Sequence, residues 1–573
     1  MPLSDPNATG PVLQRIVQAS LSEHGQLLTP GERAVVQRYL ELSPITGHLY
    51  ARLLHRVRDS FRDDALSDDE RACLPALEAA GLIDSAVAPE DLLPLHRVPE
   101  LSAACRALGL DHRGRRAALL ERLAPHADNV ELPAHRVLHR LLFQRLQRLF
   151  LRHPRADYKV VVLDALGVMP KPTYAPTPSA SPFPTRAAML QFEEARAVLD
   201  NCREGEPALP FLEPALAWLA HSPAPAPGQR HFSTRRVSAV IVSLAARELE
   251  RAGDAAQAAA LYLHLLADGT VEPGALAPRA ALATEAAHGP AQALALIQAW
   301  IPKVDPAATV ALARSGRRLA RKLRQPWQHP TLAQPPRREL ELTGAPTRSH
   351  RPLYRVQVED LLADLPVEQA IVASIPDRRV LHGESAPWTT LFALLLHELY
   401  FLPVPGMLPV AWLSGPLDIG RPAFAEQRRA PLERLLADIR DGAGPGLVRT
   451  RHKALAGQDL AGARWQTASA EELEVIASAL GGAALARILQ RLAEEGWQAS
   501  RGLPDLVILP GPPAPVPGAA AGVLPPGLLL AEVKGPGDQV RDAQAAWFHL
   551  LLEARVTVEL WRVRRVEPIQ GSA

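Results

Sequence analysis

The sequence predicts a multidomain protein with a mainly α-helical N-terminal part and an α/β domain at its C-terminal end. The chain has 573 residues, which is too long for a single hydrophobic core. Long stretches before residue 330 carry apolar residues at three- and four-residue spacing, the pattern of amphipathic helices. Two short apolar runs, 506–509 and 528–531, are flanked by Pro and Gly. They predict two strands near the C-terminal end.

Composition narrows the class of protein. The net charge of +2 arises from 63 basic and 61 acidic residues, so affinity for a polyanion must come from local patches. Cys73, Cys105 and Cys202 are far apart, which excludes a disulfide framework and a zinc site built on cysteine. No basic region followed by an apolar stretch opens the chain, and no run of about 18 apolar residues occurs. We therefore expect a cytoplasmic protein with no membrane partner.

The first 125 residues divide into two predicted units. Residues 1–90 are expected to form a helical domain, and residues 91–125 a helix–loop–helix unit in which a helix over 99–108 ends at Gly109. Three basic residues, Arg113, Arg115 and Arg116, lie at the start of the second helix. They are candidates for contacts with DNA phosphates. An ordinary helical hairpin with a solvated basic turn is the alternative.

Residues 126–225 are predicted to form a helical and connecting region. A helix within 134–156 carries Arg145 and Arg148, and no acidic residue occurs from 133 to 156. Such a helix suits phosphate neutralisation, although a surface helix with a rim of Arg side chains is equally natural. The run 158–167 predicts a strand, and a Pro-rich loop or linker follows it.

Residues 226–330 are predicted to form an array of helices similar to tetratricopeptide repeats, because helical patterns alternate with Gly-containing turns. The last helix of the array ends in a basic run that includes Arg314 and Arg317. Residues 331–378 are rich in Pro at their start and are predicted to be a linker. Residues 379–573 then form the α/β domain, with its core over 450–565.

The two C-terminal strands carry the candidate chemistry. Asp505 follows Pro504 and precedes the first strand, while Glu532 and Lys534 share one face of the second, because alternate side chains of a strand point the same way. A Pro-rich segment that joins the strands is expected to be a floppy hairpin loop. Adjacent strands would bring Asp505 beside Glu532. This is the Pro-Asp, then Glu-x-Lys, pattern of restriction-endonuclease-like PD-(D/E)xK nucleases.

Phosphodiester hydrolysis explains why these residue types occur together. One or two Mg²⁺ or Mn²⁺ ions neutralise the transition state and deliver water, and such ions take carboxylate and carbonyl oxygens, here from Asp505, Glu532 and the backbone of Val533. Lys534 would orient the attacking water or stabilise the developing charge. Lys is rare in this chain, at only six positions, so Lys534 departs from its usual choice of Arg. A chance Pro-Asp turn with a surface Glu and Lys is the alternative.

Longer stretches of the chain resemble known domains. The Leu and Gly pattern of the helix–loop–helix unit resembles a SAP domain, in Leu101, Leu108, Gly109, Leu110, Gly114, Leu119, Leu120 and Leu123. The ordering SRGLPDL, AEVKGPGD and a following helix resembles the virus-type replication-repair nuclease domain. The order of the parts over about residues 30–565 resembles the Fanconi-associated nuclease family, as a bacterial relative.

This resemblance implies a structure-specific DNA nuclease that cuts near 5′ flaps, degrades DNA from 5′ to 3′ and takes part in repair, including that of interstrand crosslinks. It implies Glu384, which alone would be explained by the dipole of the following helix, as a further metal ligand and Gln544 as a residue near the site. It also implies a pocket for a 5′-terminal phosphate, for which Arg279 is the nearest match and Arg314 or Arg317 are alternatives.

The resemblance also has limits that define the expected partners. Animal members carry an N-terminal zinc finger for ubiquitin, and three scattered cysteines cannot form one, so no ubiquitin-dependent recruitment is expected. The expected partner is branched or flapped double-stranded DNA with a 5′ end, bound by a monomer or by a dimer on DNA, with action at the nucleoid. A Holliday-junction-resolving nuclease and a catalytically inert DNA-binding scaffold are the alternatives.

Overall fold

A computed structural model describes residues 6–129, 132–152, 161–162, 167–168, 170–177, 181–225, 230–329, 332–345, 352–358, 361–382, 385–516 and 523–566. The chain separates into two compact units, which consist of residues 1–170 with 180–191, and of residues 171–179 with 192–573. Within the ranges described, no helix is both long enough and apolar enough to cross a membrane.

The first unit combines helices with a small sheet. Its helices are Pro6–His24, Pro30–Leu40, Pro44–Leu54, Asp68–Arg71, Leu74–Ala79, Pro89–Leu92, Val98–Ala107, Arg116–Leu123 and Arg140–Leu151. Strands β1 (Ser60–Arg62), β2 (Ile83–Asp84) and β3 (Ala134–Val137) form an antiparallel sheet in the order β1-β3-β2.

Residues 1–90 and the first helix of residues 126–225 were predicted to lie in different regions, but they share one core in this unit. Phe143 lies in one core with Tyr39 and Tyr50, and its ring centroid is 5.1 Å from each of theirs. Strand β3 also pairs with both β1 and β2. Pairing between residues so far apart in the sequence does not alter the local pattern of apolar residues, so that pattern could not predict that these regions share one core.

The helix–loop–helix unit follows the sequence pattern closely. Its helices, Val98–Ala107 and Arg116–Leu123, enclose a small core of Leu101, Cys105, Leu119 and Leu123. Gly109 ends the first helix with a φ of +70°, a left-handed conformation that favours glycine.

The strand predicted over 158–167 lies mostly outside the described residues. Val161 and Val162 are described, and they are helical and buried. A short apolar run does not distinguish a strand from a buried helical segment. Residues 171–177 of the Pro-rich connection after it belong to the second unit, in which the Thr177 N–H donates to the Leu408 carbonyl oxygen at 2.7 Å.

The second unit begins with an array of helices. Its members are Arg186–Glu204, of which residues 186–191 belong to the first unit, then Leu212–His221, Thr234–Ala252, Ala255–Asp268, Pro273–His288, Pro290–Trp300 and Pro306–Leu323. From Leu212–His221 onward, each helix packs against the next. The last of them, Pro306–Leu323, is called the basic helix below.

A five-stranded sheet forms the centre of the C-terminal domain. Its order is β4-β10-β9-β8-β7, and the strands are β4 (Arg337–Thr343), β7 (Val380–His382), β8 (Leu506–Ile508), β9 (Leu529–Lys534) and β10 (Val558–Val566). Strand β10 runs parallel to β4 and β9, and β8 runs antiparallel to β7 and β9. Strands β5 (Tyr354–Val358) and β6 (Leu361–Leu365) form a separate hairpin.

The predicted linker over 331–378 is wrong, because it contains β4, β5, β6 and the helix Val367–Ala373. Leu340 and Leu342 alternate with charged residues along β4 and are buried against the sheet. This period of two residues is the signal of a half-buried strand. The Pro-rich start of the segment had obscured it.

Helices cover the sheet on the side of Leu530. They are Ala386–Leu395, His397–Tyr400, Ala423–Gln427, Arg429–Asp438, Gly444–Leu455, Ala470–Glu495 and Asp542–Glu553. Leu530 lies in a core with Trp547 of the last helix, which is called the site helix below, whereas Leu529 and Val533 lie in a second core on the opposite face. Strand β9 is therefore buried on both faces.

Both ends of the loop between β8 and β9 are held in place, whereas a floppy hairpin loop was expected; residues 517–522, in its middle, lie outside the described residues. The buried guanidinium of Arg378 donates hydrogen bonds to carbonyl oxygens at both ends of the loop, those of Leu509, Pro512, Pro525 and Gly527. Proline lacks an N–H, but its carbonyl oxygen still accepts. One arginine thus joins the two strands that carry the candidate site.

Candidate metal centre

Two carboxylates meet where β8 and β9 lie side by side. Leu506 pairs with Ala531 in the antiparallel register, so Asp505 falls next to Glu532. The carboxylate of Asp505 accepts a hydrogen bond from the Val533 N–H at 2.9 Å. Both carboxyl groups are buried. The geometry inferred from strand alternation is thus present in the structure.

Glu532 has an environment that is incomplete without another positive group. Its side chain is 0% exposed, and its Oε1 accepts hydrogen bonds from the Lys534 ammonium at 2.5 Å and from the Gln544 amide. Its Oε2 is buried and accepts no hydrogen bond from the described residues. Burial, and then the nearby Asp505 carboxylate, raise the pKa of Glu532 to about 8, against the opposing effect of Lys534.

A divalent cation fits this arrangement. Buried polar atoms almost always have a partner, and an unpartnered carboxylate oxygen beside a second carboxylate is the donor set of a hard cation. Such an ion would also reverse the unfavourable ionisation of Glu532.

Gln544 fixes the orientation of Glu532 from the site helix. Its Oε1 accepts from the backbone N–H of Arg541, the residue before the helix, at 2.9 Å, which leaves its amide nitrogen to donate to Glu532. The Gln544 side chain thus accepts from an N–H at the start of the helix and also holds Oε1 of Glu532, which leaves Oε2 available. A carboxylate at 544 could not donate in this way.

Comparisons with known proteins agree with this geometry. A model of the VRR-NUC domain matches residues 447–565, and a model of the SAP domain matches residues 97–127. A Fanconi-associated nuclease 1 homolog from Pseudomonas aeruginosa is 28% identical over 584 residues, which cover 96% of this chain and 94% of that protein. A crystal structure of paFAN1 bound to DNA with a 2-nucleotide 5′ flap and a gap is similar with a TM-score of 0.77 and 25% identity, over 99% of this chain and 100% of that one.

Over almost its whole length, the chain is similar to Fanconi-associated nucleases. A homolog from Arabidopsis thaliana is 25% identical over 445 residues. These residues are 74% of this chain but 49% of the plant protein, so the chain spans about half the length of that relative. The resemblance inferred from the order of domains is confirmed.

Arg491 is a member of this site's surroundings that the sequence did not reveal. It lies on the helix Ala470–Glu495, with its guanidinium 4.2 Å from the centre of the Trp547 ring. It donates to the carbonyl oxygen of Ala546 at 3.0 Å and forms an ion pair with Glu495 at 2.9 Å. Both contacts on the site helix lie within three residues of Gln544, so Arg491 holds in place the helix that orients Glu532. An Arg among the apolar positions of a helix was the only signal in the sequence.

The basic helix also contacts the site helix. The two helices pack together, and the Arg314 guanidinium lies 2.9 Å from Asp542, the first residue of the site helix. Arg317, one turn further along, is exposed. Arg314 was predicted as a phosphate ligand, and its partner here is a carboxylate.

Two further predicted phosphate ligands are also bound to carboxylates. Arg279 donates to Glu250 at 2.9 Å, and the Tyr262 hydroxyl donates to the same oxygen at 3.0 Å. Arg145 donates to Glu32 at 2.8 Å. Each of these guanidiniums would have to share or exchange its partner in order to bind DNA.

The remaining predicted DNA contacts differ in exposure. Arg113, Arg115 and Arg148 are exposed, whereas the Arg116 guanidinium donates to the carbonyl oxygens of Pro94 and His96 inside its own unit. Their role in DNA binding stays a prediction.

Glu384 lies outside the described residues. The strand before it, β7, ends at His382, which pairs with Leu506, the residue after Asp505. Within the parts of the chain that are described, no three His, Cys, Asp or Glu side chains cluster as for a metal ion, and the site consists of the pair Asp505 and Glu532.

Proposed function

We propose that this protein is a metal-dependent, structure-specific DNA nuclease that cuts near 5′ flaps and degrades DNA from 5′ to 3′. The single observation that carries the proposal is the unpartnered Oε2 of Glu532, buried beside Asp505 with Lys534 on the same strand face. The similarity to Fanconi-associated nucleases supports phosphodiester hydrolysis as the reaction. The flapped DNA in the similar paFAN1 structure supports a 5′ flap as the substrate.

The metal is proposed to be Mg²⁺ or Mn²⁺, as one or two ions. Asp505 and Glu532 would hold it, with the Val533 carbonyl oxygen and Glu384 completing the set. Support for Glu384 comes from the pairing of His382 with Leu506. His382 is two residues before Glu384 in the sequence, and Leu506 directly follows Asp505. When bound, such an ion supplies charge neutralisation at the phosphoryl group and a more acidic water.

The side chains around the metal position the reacting groups. Lys534 uses one donor on Glu532, and an ammonium has three, so the others would orient a water or a non-bridging phosphoryl oxygen. Gln544 would keep the unpartnered oxygen of Glu532 directed at the ion. Arg491 would keep Gln544 in place, since it fixes the turn of the site helix that follows it.

The DNA contacts are proposed for the basic side chains that are exposed. Arg113 and Arg115 of the SAP domain would bind duplex phosphates, with Arg148 as a further candidate. Arg279, with Arg314 or Arg317 of the basic helix as alternatives, is proposed near the 5′ end. A phosphate there would replace the carboxylate partner of Arg279 or of Arg314. We propose that the protein acts as a monomer in the cytoplasm, at the nucleoid, in DNA repair that includes the repair of interstrand crosslinks.

Cleavage of a 5′-labelled flap substrate tests this function. Wild-type protein is expected to cut with Mn²⁺ and to be inactive in EDTA. Asp505→Ala and Lys534→Ala should lose the activity, whereas Lys453→Ala, a change of an exposed Lys on the helix Gly444–Leu455, should not.

The same assay separates the alternatives. Preferred cleavage of four-way junctions over flaps would favour a junction-resolving nuclease, and inert wild-type protein on every branched substrate would favour a DNA-binding scaffold. Full activity in either Asp505→Ala or Lys534→Ala would contradict the assignment of the site.

A further inference from the structure

Arg562 lies on the same face of the sheet as the candidate metal centre. In the parallel register of β9 and β10, Arg562 pairs with Lys534, and Leu560 pairs with Glu532. Paired residues on neighbouring strands point to the same face, and the strands are about 4.8 Å apart. The two cores agree with this orientation, because Trp561 lies with Val533 on the opposite face. Arg562 is therefore the next basic side chain beside Lys534.

The guanidinium of Arg562 makes only one weak hydrogen bond with the described residues of the protein. It donates to the Asp538 carbonyl oxygen at 3.5 Å, which is at the limit of a hydrogen bond. Among the described residues, no carboxylate lies within ion-pair distance of Arg562, although Glu339 is opposite on β4 and exposed.

Nearby arginines of the same sheet differ in this respect. Arg564, two residues further along the same face of β10, forms an ion pair with Glu341. Arg338 donates two hydrogen bonds to Glu559, at 2.7 and 2.8 Å. Both of these arginines thus pair with a carboxylate across β4 and β10, whereas Arg562 makes only a weak contact with a carbonyl oxygen.

We propose that Arg562 binds a phosphate of the DNA strand held at the metal centre, beside the phosphodiester that Lys534 contacts. This inference rests on the proposed nuclease function. A guanidinium offers a planar fork of donors that matches the oxygens of a phosphate. Its position in register with Lys534 gives the strand two adjacent cationic contacts across β9 and β10, one of which is not committed to a carboxylate.

A purely structural role for Arg562 would be to hold the turn after Lys534. That turn closes by its own bonds, since the Gly535 N–H donates to the Asp538 carboxylate at 3.1 Å and the Asp538 N–H donates to the Gly535 carbonyl oxygen at 3.2 Å. The turn does not need Arg562 for its shape.

The test compares Arg562→Gln with Arg564→Gln, which removes the same charge from the same face. Binding of the flap substrate would be measured in Ca²⁺ by fluorescence anisotropy as a function of salt. We expect Arg562→Gln to weaken binding about 5–10-fold and to reduce the slope of log K against log salt by about 1, as for one lost phosphate contact. Arg564→Gln should leave affinity within about 2-fold and the slope unchanged.

Equal affinities and slopes for the two variants would overturn the proposal. Wild-type protein that binds the flap but does not cut it would instead overturn the proposed nuclease function, so the two failures are distinguishable. Asp538→Ala loosens the turn without removing the cation and should keep the full slope. A slope reduced in Asp538→Ala as much as in Arg562→Gln would assign Arg562 to the turn.

Arg562→Lys serves if Arg562→Gln fails to fold, as judged from its thermal midpoint. It keeps the charge but loses the planar fork. We expect Arg562→Lys to bind the flap about 3-fold more weakly than the wild type, with the same dependence of log K on log salt. An affinity equal to that of the wild type would contradict a contact through the guanidinium.

Discussion

The candidate metal centre and the basic helix use charged side chains in opposite ways. At the metal centre, Glu532 is fully buried and is bonded to two partners of fixed geometry. On the basic helix, Arg314 is 69% exposed and its ion pair with Asp542 lies at the surface. Burial makes each contact expensive to lose, whereas an exposed pair contributes little. The difference predicts where a substitution will have large effects.

The largest expected effect is at the unpartnered carboxylate. Glu532→Gln keeps the shape of the side chain but removes the charge that a cation needs, so cleavage should fall by about 10³-fold or more. Single-turnover cleavage of the flap with Mn²⁺ measures this. A variant within tenfold of the wild type would mean that the buried centre is not the active one.

The next largest effect is on stability, at Arg491. Arg491→Met keeps the stem over Trp547 but leaves Glu495 without its partner, and breaking a buried ion pair costs roughly 3–5 kcal/mol. Burial already raises the pKa of Glu495, so protonation would relieve part of the cost. Chemical denaturation of the variant measures the change in the free energy of unfolding, and Arg487→Met, on an exposed pair of the same helix, is the control.

If the loss arises from the unpaired carboxylate, the double variant Arg491→Met with Glu495→Gln should recover part of the stability. No recovery would point to lost packing on Trp547 instead.

The pH dependence of stability follows from Glu532. Its pKa is about 8 in the folded protein, above the unfolded value, so the folded state binds more protons between about pH 4.5 and 8. Metal-free protein should therefore lose stability as pH rises through this window, by roughly 2–4 kcal/mol. Thermal melts in EDTA at several pH values test this, and Glu532→Gln should flatten the trend.

A smaller effect is expected at Gln544. Gln544→Ala removes the amide that orients Glu532, and the loss of such a supporting contact typically costs 10–100-fold in activity or metal affinity. Activity should recover in part at high Mn²⁺, since the carboxylates remain. Loss of activity that no Mn²⁺ concentration restores would assign Gln544 a direct role in the reaction.

The smallest expected effect is on the basic helix. Arg314→Ala removes an exposed ion pair and should change the free energy of unfolding by less than about 1 kcal/mol. Chemical denaturation of Arg314→Ala and of Arg491→Met compares the loss in the free energy of unfolding between the two regions directly. Similar losses in both would remove the distinction between them.

Short-range patterns predicted the parts of this site that lie on single elements. Strand alternation placed Glu532 and Lys534 on one face, and Pro504 before an apolar run marked Asp505. The periodicity of the SAP helices and of the helical array was equally clear, because each depends on neighbours a few residues apart.

Long-range contacts could not be predicted in the same way. Strand β4 joins the sheet through pairs such as Arg337 with Leu560, and Arg378 binds a loop more than 130 residues later. Arginine is the hardest case, since Arg145 and Arg148 share one helix but only Arg145 is paired with Glu32. Which carboxylate or carbonyl lies opposite is set by tertiary packing, and sequence spacing does not encode it.

Anomalous diffraction from crystals grown with Mn²⁺ tests the central claim most directly. We predict a strong anomalous peak about 2.1 Å from Oε2 of Glu532 and in contact with the Asp505 carboxylate, and no such peak in crystals of Glu532→Gln. A peak elsewhere, with Oε2 of Glu532 bound to a protein donor or a water in its place, would contradict it.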